Sequence, residues 1–329
     1  MNLFTSEVLL TSQTTRVEAM KLGILVLSFL AFSSVGFSCS QDGTGGLLPD
    51  NTMKISVGDK ASNNLTKKDF SKALEKVRRV YAPIFFEKGL NLEMENHWDD
   101  ATVNAYALRK DGKAVVAIFG GLGRHFLMTT DGVILAACHE AGHHIGGNPV
   151  KVNGPPTVDG NRVDKTPWAS NEGQADYFGV MKCFRNVVRG EDHQAVLKTV
   201  TFEKSLENLC NDKFGNEEDR LICMRSMAAG QAITSLFVDV INAELEKSGK
   251  EDRLKPVAQI TPDKKVVKVT DDNHPLPQCR FDTFINGALC DKDTSEQVSY
   301  SDPSQGVCSR GDGYTVGVRP LCWYKEPVL

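Results

Sequence analysis

Residues 130–147 read Thr130-Asp131-Gly132-Val133-Ile134-Leu135-Ala136-Ala137-Cys138-His139-Glu140-Ala141-Gly142-His143-His144-Ile145-Gly146-Gly147. An apolar run that closes on two glycines reads as a helix from near Thr130 to about His144. Within it lies H-E-x-x-H. Side chains four residues apart share a helix face, so His139 and His143 point at one spot and can bind a single metal ion. Glu140 projects beside them, in reach of a metal-bound water. Neutral imidazoles with an open coordination position suit Zn²⁺. Three fixed residues also arise by chance, so the motif needs a second, independent signal.

That signal is Asn171-Glu172-Gly173-Gln174-Ala175-Asp176. A catalytic zinc site takes a third protein ligand. Glu172 opens a helical pattern and Asp176 follows on the same face. Glu172 is therefore the expected third ligand. Asp176 is the expected acceptor for the free N–H of a ligand imidazole, a contact that fixes the tautomer and raises ligand basicity.

Outward from this pair, a helix is expected from about Thr66 to Lys88, with Thr66 and Asp69 as a capping box and Phe70, Leu74, Val77, Tyr81 and Ile84 at helical spacing. Two strands are expected, 102–109 and 113–119, joined by a turn at Lys110-Asp111-Gly112, with Gly120, Gly121 and Gly123 ending the second. Residues 146–169 read as a surface loop. Helical patterns return at 171–188, about 192–209 and 217–248, the last a core helix and not a membrane span. From 255 onward the chain reads as short extended pieces and turns with four Cys. Within it, His274-Pro275 precedes Arg280.

The ordered set resembles the gluzincin metallopeptidases, and more narrowly the HtpX-like family that includes the CAAX prenyl protease. The matching stretches are Asn104-Ala105-Tyr106-Ala107, Val115–Phe119 with Gly121-Leu122, His139–His143, Glu172–Asp176 with Gly179, and His274-Pro275 with Arg280. The resemblance covers roughly 102–282. The chain departs from the family in lacking the extra membrane spans, in a short 144–171 connector and in its cysteines. The resemblance implies an α+β, zincin-like fold: an active-site helix, a small mixed sheet and additional helices. It implies a zinc endopeptidase in which Glu140 is the general base and His274 and Arg280 are candidates for stabilising the transition state. Strand 113–121 is expected at the cleft edge, pairing with an extended polypeptide substrate. The alternative function is a zinc-binding chaperone or a latent module without turnover.

Near the start, Met20-Lys21 and the apolar run Leu22–Phe37 read as an export signal with Met20 as the true start. Cys39 follows and resembles the lipidated Cys of bacterial lipoproteins, although Gly36 stands where Leu is usual. The expected organisation is 1–39 signal and lipoprotein segment, 40–64 flexible tether, 65–254 catalytic domain, and 255–329 Cys-rich extension. The expected location is the bacterial cell envelope, anchored by lipid alone, or else a secreted soluble form. The chain has nine Cys, so setting Cys39 aside leaves an even number, which suits disulfides in an exported protein. These are expected chiefly in the C-terminal third, with Cys138 the one most suited to remain a buried thiol. The 329 residues carry 38 Lys+Arg against 42 Asp+Glu, a net charge of −4. That balance argues against a nucleic-acid partner.

Overall fold

The computed structural model describes residues 46–151, 168–201, 203–258 and 261–326. The signal segment, Cys39, residues 40–45 of the expected tether and most of the 146–169 loop lie outside the described residues.

The architecture is mixed α and β, a small sheet with helices around a buried central helix, in agreement with an α+β class. Helix α1 (Lys67–Glu87) starts at a complete Thr66/Asp69 capping box, as the sequence implies, and buries Phe70, Leu74, Val77, Tyr81 and Phe85. Strands β1 (Asn91–His97), β2 (Ala105–Lys110) and β3 (Lys113–Phe119) form one sheet in the order β1-β3-β2. β2 and β3 are antiparallel, with Lys110 opposite Lys113, across a two-residue turn in which Asp111 and Gly112 both have positive φ. That conformation matches the twist of a tight hairpin. β1, parallel to β3, is not expected from the sequence, because Asn91-Leu92-Glu93-Met94-Glu95-Asn96-His97 is mostly polar.

The extra strand corrects one expectation. β3 is hydrogen-bonded on both sides and has no free edge for a substrate; the edges facing away from β3 belong to β1 and β2. The glycines after β3 also do more than end it, since they form the short helix α2 (Gly120–Arg124). A Cβ at Gly120 would sit 1.8 Å from the Trp98 carbonyl oxygen, so only glycine lets the two backbones meet.

Helix α3 (Thr130–Ile145) is buried from Asp131 to its end. The sheet, α1, α4 (Glu172–Phe178) and the long α8 (Glu217–Lys247) all pack on it. α4 runs on into a π-helical turn, Gly179–Phe184, and α5 (Arg185–Val188). The single helix expected over 192–209 is two, α6 (His193–Leu197) and α7 (Lys204–Lys213). α8 passes by length and composition for a membrane span but is mostly buried within the protein.

The boundaries of the expected domains also need correction. The described residues form one compact unit. Of the expected tether, residues 46–64 are built into it: Leu47 and Leu48 are fully buried, and Arg124 holds the Ile55 carbonyl with two N–H donors. Asn63 Nδ2 bonds the carbonyls of Gly123, His125 and Met128. The expected extension contains α9 (Pro277–Leu289), started by Pro277, whose Phe281 and Phe284 lie in the core against α8 and α4. Eight cysteines form four disulfides: Cys138–Cys183, Cys210–Cys223, Cys279–Cys322 and Cys290–Cys308. Cys138 is therefore no free thiol. Four disulfides point to an oxidising, exported environment.

Candidate metal centre

Helix α3 is capped by the Thr129 hydroxyl, which accepts from the Gly132 N–H. Ten residues on, it brings His139 and His143 to one face, with their Nε2 atoms 3.1 Å apart. Each ring is fixed from behind. His139 Nδ1 faces Asp176 Oδ1 at 2.7 Å, and His143 Nδ1 faces the Ser170 carbonyl at 2.7 Å. With both Nδ1 atoms donating, both Nε2 atoms are bare lone pairs directed at one another in a fully buried site. That arrangement can hold a cation between them.

Glu172 comes from the first turn of α4, whose start is capped by the Asn171 side chain accepting from Gln174 N–H. Its carboxylate lies 3.4 Å from His139 Nε2 and 3.7 Å from His143 Nε2. The potential ligand atoms of His139, Glu140 and His143 also lie within 4.8 Å of one another. Both Glu140 oxygens, and Glu172 Oε2, are buried without a hydrogen-bond partner. Stranding carboxylate oxygens in the interior is costly unless something electropositive occupies the space they face. The donor set therefore fits a metal ion. A second cluster, Asp263 with Cys279 and Cys322, does not, because its sulfurs are joined in a disulfide.

The two helices carrying the ligands come close because of glycine. A Cβ on Gly142 would meet the Ala175 carbonyl oxygen at 3.0 Å, and one on Gly179 would meet His139 N at 3.2 Å. Cys138–Cys183 ties the same two elements covalently, next to the first ligand.

The electrostatics follow from burial and charge. For His139, burial opposes charging, but Asp176 outweighs it and pushes the imidazole up to about 9. His143 is held well below the usual histidine range by burial. Burial, opposed by His139, pushes Glu140 up to about 8. Burial also works against a charge on Glu172, yet His274, Lys151 and His143 hold it well below the usual carboxylate range.

His274 and Arg280 reach the site from the segment before α9 and from its first turn. His274 Nε2 is 3.4 Å from Glu172 Oε2 and 2.8 Å from the Gly46 carbonyl oxygen. Arg280 stands elsewhere. Its Nε and Nη2 donate to both oxygens of Asp176 at 2.7 Å, and its Nη1 donates to the Leu47 carbonyl at 2.6 Å. It braces the acceptor behind His139, so of the two candidates His274 is the one beside the ligand carboxylate. For Asp176, burial raises the carboxyl, but Arg280 and His139 hold it below its usual value.

Lys151, whose Nζ is 2.7 Å from Glu172 Oε1, belongs to the site and carries no sequence signal, being one lysine in a loop. His144 turns away: its Nε2 meets the Val115 carbonyl at 3.0 Å and its ring stacks on Trp168. Tyr177 is a core aromatic that donates to the Gly317 carbonyl. His97, His125 and His193 pair with Glu95, Asp239 and Arg225, away from the ligands. Arg310-Gly311-Asp312 is a short 3₁₀ turn. Compared with known proteins, the chain matches no protein family, no curated protein and no solved structure.

Proposed function

We propose that the protein is a zinc-dependent endopeptidase of zincin-like architecture, acting on polypeptides of the cell envelope. The observation that carries this reading is the buried Glu140 carboxylate, without a partner, next to two imidazoles whose Nε2 atoms face each other. A site that only holds a metal has no need for such a group. Zinc bound by His139, His143 and Glu172 supplies a Lewis acid that polarises a carbonyl and acidifies water. The remaining roles fall to the chain. Glu140, raised toward neutrality by burial, takes a proton from water and passes it to the leaving amine. His274 is placed to donate to an oxygen beside Glu172. Asp176, gripped by Arg280, keeps His139 in the tautomer that offers Nε2 to the metal.

The HtpX-like resemblance supports the same reading, with a lipid anchor at Cys39 as the proposed attachment and no nucleic-acid role. The test is elemental analysis with a digest of unfolded casein. The expected result is about one zinc per chain, lost in His143→Ala, with digestion abolished by a chelator and restored by zinc. Equal zinc in both proteins, or chelator-insensitive digestion, counts against the assignment.

A further inference from the structure

Residues 46–48 are held in an unusual way. The Gly46 carbonyl meets His274 Nε2 at 2.8 Å. The Leu47 N–H donates to the Ala105 carbonyl at 2.9 Å, and the Leu47 carbonyl accepts from Arg280 Nη1 at 2.6 Å. The Leu48 N–H donates to Asn104 Oδ1 at 3.0 Å, and the Leu48 carbonyl accepts from Asn104 Nδ2 at 3.1 Å. Every backbone polar group from the Gly46 carbonyl to the Leu48 carbonyl is therefore occupied.

A strand added for structure alone pairs with main chain. Here Ala105, at the start of the edge strand β2, supplies one main-chain contact, and the side chains of Asn104, His274 and Arg280 supply the rest. Two of those side chains are tied to the candidate metal ligands: His274 to Glu172, and Arg280 through Asp176 to His139. Leu47, just after the gripped carbonyl, is fully buried, as a side chain seated in a specificity pocket would be. Main-chain capture along a sheet edge with one anchored side chain is how extended peptides are recognised.

We infer that residues 46–48 occupy the substrate groove in the manner of a substrate, and that the protein cuts its own chain at Gly46–Leu47. This rests on the peptidase reading and names its first substrate. Water adds to the Gly46 carbonyl carbon and loses a proton to Glu140. The bond from that carbon to the Leu47 nitrogen then breaks. The proton passes to that nitrogen and the proton of the added hydroxyl follows, leaving a carboxylate on Gly46 and an ammonium on Leu47. The groove accordingly selects a small residue before the cut and a large aliphatic one after it. Gly46 has φ +85°, and a Cβ there would lie 2.9 Å from the Ala105 carbonyl oxygen, so glycine is required at that point.

The test follows the full chain by intact mass and N-terminal sequencing after zinc is added to chelator-treated protein, in parallel with a casein digest. Wild type is expected to convert to a chain beginning at Leu47, with a first-order rate independent of protein concentration, because bond and site belong to one molecule. Glu140→Gln slows conversion by about a hundredfold or more, and chelated wild type stays intact, which covers a variant that misfolds. Gly46→Ala also slows it. In metal-free protein the amides of Leu47 and Leu48 exchange slowly with deuterium, a readout that needs no turnover. Wild type that digests casein while its own Gly46–Leu47 bond survives overturns the inference and leaves the peptidase reading standing. Wild type that does neither overturns both. Rapid exchange at both leucine amides removes the substrate-like docking itself.

Discussion

Glu140 and Asp176 are both buried carboxylates near His139, and their surroundings assign them different work. Asp176 is saturated by Arg280 and His139, whereas Glu140 has no hydrogen-bond partner at all. Glu140→Gln is nearly isosteric but cannot accept a proton. It is expected to keep its zinc and lose turnover by about a hundredfold or more, checked by elemental analysis beside a casein digest. Wild-type turnover in this variant would mean another group is the base. Asp176→Asn removes the charged acceptor behind His139 while leaving the three ligands in place. Its zinc affinity should fall by about 10–100-fold, read by competition with a chelating dye. An unchanged affinity would show that the histidine orientation is set by packing alone.

At the level of elements, the candidate metal site is the meeting of α3 and α4 with its π-helical continuation, brought close at Gly142 and Gly179 and tied by Cys138–Cys183. Replacing both of these cysteines by alanine should lower stability by about 2–5 kcal/mol and weaken zinc binding as well. The same change at Cys210–Cys223, which joins α7 to α8, should lower stability without touching zinc affinity. Denaturant titration and dye competition on the two variants separate the effects, and equal zinc affinity in both would show that the α3 disulfide does not shape the site. α9 carries a pH-dependent cost. Burial pushes the Asp282 carboxyl up to about 6 from 3.8, although it accepts from Asp263 N–H and Gln278 Nε2. Within that window the unfolded chain has given up the proton that the folded chain keeps. Stability therefore falls as pH rises through the window, by about 2 kcal/mol in all. Asp282→Asn lacks this component. Relative to the variant, wild type should gain about that amount between pH 7 and pH 4 in urea unfolding, and a constant difference would contradict the assignment.

On the scale of the whole molecule, what reads as a separable C-terminal extension completes the interior. Phe281 and Phe284 are fully buried against the long helix, and Trp323 is fully buried over Gly173 of α4. Both His274 and Arg280 come from this part. A chain ending at residue 254 should therefore fail to unfold cooperatively and should bind zinc only weakly, since large core side chains contribute about 3–5 kcal/mol each. Calorimetry would decide: a sharp transition in the truncated chain would show that the extension is independent after all.

The sequence alone was enough for α1, the β2–β3 hairpin, α3 and the meeting of His139 and His143 on one helix face, because capping boxes, tight turns and i,i+4 spacing are local and leave a local signature. The partnership of Asp176 with a ligand imidazole was legible for the same reason, both residues lying on short regular segments. What the tertiary structure decided is long-range. β1 pairs through backbone groups that any residue carries, so its polar sequence gave no sign of it. Cys138 found Cys183 across 45 residues, and Arg280 found Asp176 and Leu47 from a turn of helix hidden among prolines and cysteines. Lys151 beside Glu172, and Gly46–Leu48 beside His274 and Arg280, depend on where loops return to the core. Chain direction and burial, not residue type, set those meetings.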